Sequence, residues 1–175
     1  MSSSASTNHP TCADELRASL VGGWKLESYV YVALPPSTTG PFHPMTKKVQ
    51  GILLYTPDGY MSAQMQIPGQ PKFEVGKASE AQWAECARRY FGYSGPYHIR
   101  EENGTVTLRH EFRISYRPDL SGDVQIRSWR FEEGGNVLIL GSEEPTMVRG
   151  ELRTPQLRWR KLENNAKQDE SRASA

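Results

Sequence analysis

Tyr97-His98-Ile99-Arg100-Glu101-Glu102-Asn103-Gly104-Thr105-Val106-Thr107-Leu108-Arg109-His110-Glu111-Phe112-Arg113-Ile114-Ser115-Tyr116 reads as a β-hairpin folded on Asn103-Gly104. Both residues tolerate positive φ, as a two-residue type I′ turn requires, and the twist of that turn matches its strands. If Glu102 pairs with Thr105, then Ile99 faces Leu108 and Tyr97 faces His110. Side chains alternate between the two faces of a strand, so Val106, Leu108, His110, Phe112 and Ile114 share one side. Only His110 breaks that apolar row. A titratable ring there, with the Tyr97 hydroxyl beside it, is the most chemically suggestive feature of the sequence.

Before the hairpin, Ser79-Glu80-Ala81-Gln82 has capping-box spacing and predicts a helix to about Tyr93, with Trp83, Cys86, Ala87 and Tyr90 as its buried stripe. Val49 to Thr56 and Tyr60 to Ile67 read as two strands joined by a Pro-Asp-Gly turn. On the second, Tyr60, Ser62, Gln64 and Gln66 oppose Met61, Ala63, Met65 and Ile67, and the pattern leaves open which row faces a cavity. Ala33 to Lys48 carries four prolines, a loop suited to a lid or mouth. Trp24 to Val32 is the first strand, with Trp24, Leu26, Ser28, Val30 and Val32 on the inner side. Asp14 to Leu20 forms a short helix capped by Asp14 or Thr11, with Leu16 and Leu20 on one side. Residues 1–12, rich in Ser and Thr, are expected to be a disordered tail.

After the hairpin, a four-residue loop closed by Arg117 and Gly122 would put Phe112 opposite Arg127 and His110 opposite Trp129. Gln125, Arg127, Trp129 and Phe131 then point inward; a one-residue slip would turn Val124, Ile126, Ser128 and Arg130 inward instead. Strands at 137–142, 146–152 and 156–162 complete the domain, and residues 163–175 are expected to be a charged, disordered tail. The expected fold is all-β with minor α: a single up-and-down antiparallel barrel of about eight or more strands over residues 13–162, with one helix between strands and a short N-terminal helix.

Composition narrows the function. A chain of 175 residues, 37% hydrophobic, can bury a sizeable core in one domain. A net charge of +1 with intermixed acids and bases argues against nucleic acid as a partner. No apolar run reaches membrane-spanning length, and the polar N-terminus lacks a secretory signal, so a cytoplasmic protein outside the membrane is expected. Cys12 and Cys86 lack metal-ligand spacing, and no glycine-rich phosphate loop precedes a helix, so no metal and no cofactor are expected. Oligomeric state stays open between monomer and homodimer.

Three stretches then carry a family resemblance: Leu20-Val21-Gly22-Gly23-Trp24-Lys25-Leu26; Gly51-Ile52-Leu53-Leu54-Tyr55-Thr56-Pro57-Asp58-Gly59-Tyr60-Met61-Ser62-Ala63; and Tyr90 to Ser115, with Tyr-Phe-Gly-Tyr-Ser-Gly-Pro-Tyr and His110. Together they resemble the small intracellular branch of the lipocalin-like family of calycin barrels, over roughly residues 16–162. The resemblance implies that Trp24 plugs the closed end, with Arg158 or Arg160 packed across it. It also implies a small, largely apolar or aromatic ligand. In related barrels of natural-product pathways it implies cofactor-free cyclisation, isomerisation or rearrangement of a polyketide- or terpenoid-like intermediate, with a non-catalytic carrier as the alternative.

On the enzyme reading, His110 with Tyr97 moves a proton and Arg127 stabilises developing negative charge. Tyr55, Tyr60, Ser62, Gln64, Tyr93, Phe112, Tyr116 and Trp129 are the candidate substrate contacts. The plainer reading of His110 is a core histidine held by hydrogen bonds to Tyr97 or to Trp129.

Overall fold

The computed structural model describes residues 9–166. The described elements are helix α1 (Ala13–Leu20), strands β1 (Gly22–Ala33), β2 (Gln50–Tyr55) and β3 (Tyr60–Gln66), and helix α2 (Glu80–Arg88). Strands β4 (Tyr90–Glu102), β5 (Thr105–Glu111), β6 (Ile114–Ser115), β7 (Val124–Arg127), β8 (Trp129–Glu132), β9 (Val137–Gly141), β10 (Thr146–Val148) and β11 (Glu151–Lys161) follow. Residues 1–8 and 167–175 of the two expected tails lie outside the described residues. His9, by contrast, stacks on Trp129 with ring centroids 4.8 Å apart.

The strands form one antiparallel sheet in the order β7-β5-β4-β3-β2-β1-β11-β9-β8, with β6 added to β4 and β10 to β11. Its two ends, β7 and β8, are consecutive stretches of chain either side of Ser128. The sheet therefore curls into a barrel whose ring is completed by continuous backbone rather than by a ladder between its edges. Counting β7 and β8 as one interrupted strand and omitting short β6 and β10, eight strands surround the interior. The sheet is the all-β barrel that alternation and turn spacing predict.

The hairpin has the expected register, with Tyr97 opposite His110, Ile99 opposite Leu108 and Glu102 opposite Thr105. Asn103 and Gly104 both take positive φ, 51° and 73°. Beyond it the expected register fails. Arg127 lies opposite Leu108, and His110 opposite Gln125, rather than opposite Phe112 and Trp129. The cause is β6: Ile114 and Ser115 fold back to pair with Ser94 and Tyr93, so the loop is longer than four residues. It closes through Phe112 N to Asp123 O at 2.9 Å and Gly122 N to Phe112 O at 2.8 Å. Gly95 permits this crossing, because a Cβ there would stand 2.0 Å from the Glu111 carbonyl oxygen.

Two further expectations are corrected. A register shift between Leu26 and Ser28 reverses the alternation of β1, so Trp24 and Leu26 point inward but Tyr29 and Tyr31 replace Ser28, Val30 and Val32 on the cavity side. Helix α2 has the predicted capping box at Ser79 and Gln82 but ends at Arg88, because Tyr90 to Pro96 pair with β3. None of its residues is buried, and Trp83 is 62% exposed.

One end of the barrel is sealed. Leu16 and Leu20 of α1 are fully buried beside Trp24, whose indole N–H donates to Leu20 O at 2.8 Å. Helix α1 starts after Cys12, which provides no side-chain cap. The cation across Trp24 is Lys161, with Nζ 4.9 Å from the ring and donating to Ser19 O at 3.0 Å. Arg158 and Arg160 point outward instead, to Glu27, Glu132 and Glu133. The strand parity makes the difference: Lys161 shares the inner row with Trp159 and Leu157.

Candidate functional site

The interior holds a cavity of about 770 Å³, within the range that takes a drug-sized molecule. Its inner wall is apolar and aromatic, including Leu53, Ala63 and Met65 of β2 and β3. The Pro-rich loop contributes Pro44 and Met45, and Arg117 and Glu143 belong to the same lining. Phe42 secures that loop by a bridge to Tyr31, with Tyr31 N to Phe42 O at 2.7 Å. The proline-bearing segment is therefore part of the cavity wall.

One polar chain runs through the aromatic wall. Arg127 of β7 donates from Nη2 to the Tyr93 hydroxyl of β4 at 3.3 Å. Tyr93 Oη is in turn 3.3 Å from His110 Nδ1, and His110 Nε2 is 2.8 Å from Tyr55 Oη. The chain exists because β4, β5 and β7 are neighbours and the register puts these side chains on the inner face. Tyr93 is fixed further by stacking on Phe112, centroids 3.9 Å apart. Arg127 lies over both rings, 5.7 Å from Tyr93 and 5.4 Å from Phe112.

Burial decides protonation in this chain. His110 is fully buried, and desolvation first, then the Arg127 charge, pushes its pKa well below the ordinary imidazole value. It is a neutral ring at physiological pH, accepting at one nitrogen and donating at the other. Burial likewise pushes the Tyr55 hydroxyl upward, assisted by Tyr93, so Tyr55 stays a phenol. Tyr29, on the opposite side of the β1 bulge from Trp24, is also raised by burial.

Of the residues singled out in the sequence, Tyr93, Phe112 and Arg127 line the cavity. His110 and Tyr55 stand behind them, His110 hydrogen-bonded to Tyr93 and Tyr55 to His110. Tyr97 is buried and packs edge-on against Tyr55, but its hydroxyl donates to Thr56 O at 2.9 Å and not to His110. Tyr60, Ser62 and Gln64 occupy the outer row of β3, since Met61, Ala63 and Met65 are the buried ones. There Ser62 accepts from Gln64 and from Ser94, at 2.9 and 2.8 Å. Tyr116 is 41% exposed and packs edge-on against Tyr90. Trp129 is inward on β8 but is opposite Leu140, far in register from His110, and is covered by His9.

Sequence reasoning missed Tyr29, Tyr31 and Trp159. The first two were hidden by the bulge, which no local pattern announces. Trp159 carries the alternation of the last strand, Leu157-Arg158-Trp159-Arg160, and that signal was readable as an inner row.

Fold and cavity define a β-barrel that receives a small molecule in its interior. The chain belongs to the lipocalin-like domain family, which matches residues 21–162. A relative, the 4'-hydroxy-3'-methoxypropiophenone carrier protein ppsC of Aspergillus oryzae (strain ATCC 42149 / RIB 40), is 31% identical over 109 residues, covering 58% of this chain and 96% of the relative. No described helix is long and apolar enough to cross a membrane.

Proposed function

We propose that the protein is a carrier that holds a small aromatic or conjugated molecule with an oxygen atom placed against Arg127 and Tyr93. The observation that carries this reading is the state of Arg127. It is a partly buried guanidinium on the cavity wall with no carboxylate partner among the described residues. A buried cation without an anion is costly, and a carbonyl, phenolate or carboxylate oxygen of a ligand relieves that cost. The stacked Tyr93–Phe112 pair beside it suits a flat ligand ring. The relative's name describes a carrier of a phenolic aryl ketone, a ligand of this chemical class.

A second reading, a cofactor-free isomerase or cyclase of a natural-product intermediate, is favoured by the chain from Arg127 through Tyr93 and His110 to Tyr55. In it Tyr93, not His110, is the group that meets the substrate. Tyr93 gives a proton to the substrate oxygen that Arg127 polarises, and the hydrogen bond to His110 supports it. Native mass spectrometry of the protein purified from its own source, with extraction of the bound molecule, separates the two. A molecule returned unchanged after incubation supports the carrier, a molecule converted supports the enzyme, and a cavity that retains none of the aromatic ketones or phenols offered refutes both.

A further inference from the structure

We propose that Trp159 supplies a second polar contact to the ligand, donating its indole N–H to a neutral carbonyl or ether oxygen from the wall opposite Tyr93; this rests on the binding reading above. Trp159 lines the cavity and is 1% exposed, and its Nε1 is buried with no hydrogen-bond partner among the described residues. The contrast with Trp24 is direct, since that indole N–H is satisfied by Leu20 O at 2.8 Å. Buried polar groups are ordinarily paired, so an orphan donor in the wall of a ligand cavity points to a partner supplied by the ligand.

The strand partners of Trp159 offer no side-chain acceptor. Its register partners are Leu26 on β1 and Leu138 on β9, both buried and apolar in their side chains. Of the eight strands around the ring, β11 is four removed from β4 in either direction. Trp159 and Tyr93 therefore face the ligand from opposite walls.

Chemistry fixes what each wall accepts. An indole nitrogen is a donor only and carries no charge, so it matches a neutral acceptor. Arg127 is a charged fork of donors and matches the more strongly polar or anionic oxygen. The ligand class that satisfies both is an aromatic molecule with acceptor oxygens at two ends, such as a hydroxyaryl ketone. A ligand with one oxygen leaves one wall unsatisfied.

Three probes test this: 4'-hydroxypropiophenone, 4-propylphenol, which lacks the ketone, and propiophenone, which lacks the phenol. Their affinities are measured by calorimetry for the full-length protein, Trp159→Phe and Arg127→Met. The wild type is expected to bind the hydroxy ketone about tenfold or more tightly than either single-oxygen probe, as a site with committed hydrogen-bonding groups discriminates. Trp159→Phe should abolish the preference conferred by one oxygen, and Arg127→Met the preference conferred by the other. Ultraviolet resonance Raman of the wild type, whose indole band reports hydrogen bonding at the ring nitrogen, should show one tryptophan of four changing when the hydroxy ketone binds. That measurement decides the matter even if the Phe variant does not fold.

Equal loss for all three probes in Trp159→Phe would assign the residue to packing and overturn the contact. So would an unchanged indole band with the hydroxy ketone bound. Binding of all three probes with equal affinity would overturn the Trp159 contact while leaving the carrier reading standing. Failure of the wild type to bind any of them would overturn both.

Discussion

Replacing His110 by Gln should remove a specific segment of the protein's acid sensitivity. Burial lowers the folded-state pKa of His110 well below the 6.5 of a free imidazole. In the unfolded chain the ring takes up a proton as pH falls through about 6.5, whereas in the folded chain it stays neutral, so the unfolded state binds more protons in this window. Stability from this group is therefore fully present above pH 6.5 and declines as pH falls toward the folded-state value. The slope approaches about 1.4 kcal/mol per pH unit, and integration from pH 7.5 to pH 5.0 gives a loss of about 2 kcal/mol while the folded ring stays neutral. The carboxylates held below their ordinary range, Glu15, Glu27, Glu111, Asp119, Glu132, Glu133 and Glu151, lose their stabilising contribution mainly as pH falls below this window and are common to both proteins, so they cancel in the comparison.

The assay is urea unfolding of both proteins at pH 7.5 and 5.0. With a slope of about 2 kcal/mol per molar urea, the wild-type midpoint should fall by about 1 M more than that of His110→Gln. The variant is expected to be the less stable protein at pH 7.5, because the amide replaces the ring between Tyr55 and Tyr93 imperfectly. The pH difference, not the absolute stability, carries the test. Equal midpoint shifts in the two proteins would show that His110 titrates as a free imidazole in the folded state and would refute the buried, neutral ring.

Tyr93→Phe retains the stack on Phe112 but leaves Arg127 Nη2 and His110 Nδ1 without that partner; thermal or urea unfolding should show a loss of about 1–3 kcal/mol. Gly95→Ala forces a Cβ to 2.0 Å from the Glu111 carbonyl, and circular dichroism should show a loss of several kcal/mol or failure to fold, the size expected of severe overpacking against backbone.

How much was legible in the sequence follows from how local each determinant is. The Asn103-Gly104 turn fixes its own hairpin, so the pairing of Tyr97 with His110 could be read directly. Leu16 and Leu20 could be read as a buried helix face for the same reason. The β7 register could not, because it depends on β6 returning to β4 across Gly95, a contact between segments about twenty residues apart. Inward parity for Gln125 and Arg127 was still correct, since an even shift preserves the face. The β1 bulge is set by pairing with β11 at the far end of the chain, so Tyr29 and Tyr31 read as outward. At α2, Tyr90 satisfied helical spacing, but the ladder with β3 claimed it. Trp83, left outside, packs edge-on against Phe73 at 6.0 Å.

These corrections redistribute the chemistry of the candidate site. A histidine with both nitrogens engaged by tyrosines, and with its proton affinity suppressed by burial, does not take up a proton readily and is not among the residues that line the cavity. Tyr55 behind it is pushed further from ionisation. On the proposed carrier reading the two provide orientation: the hydrogen bonds from Tyr55 through His110 to Tyr93 hold the Tyr93 hydroxyl where Arg127 meets it, a preformed pair of donors on an aromatic wall. Preformed donors lower the ordering cost of binding, which serves a carrier fully. An enzyme needs in addition a group whose bonds to the ligand strengthen in the transition state. On the enzyme reading proposed above, the Arg127–Tyr93 pair lines the cavity and His110 does not, so any catalytic activity should respond to substitution of those two residues more than to substitution of His110.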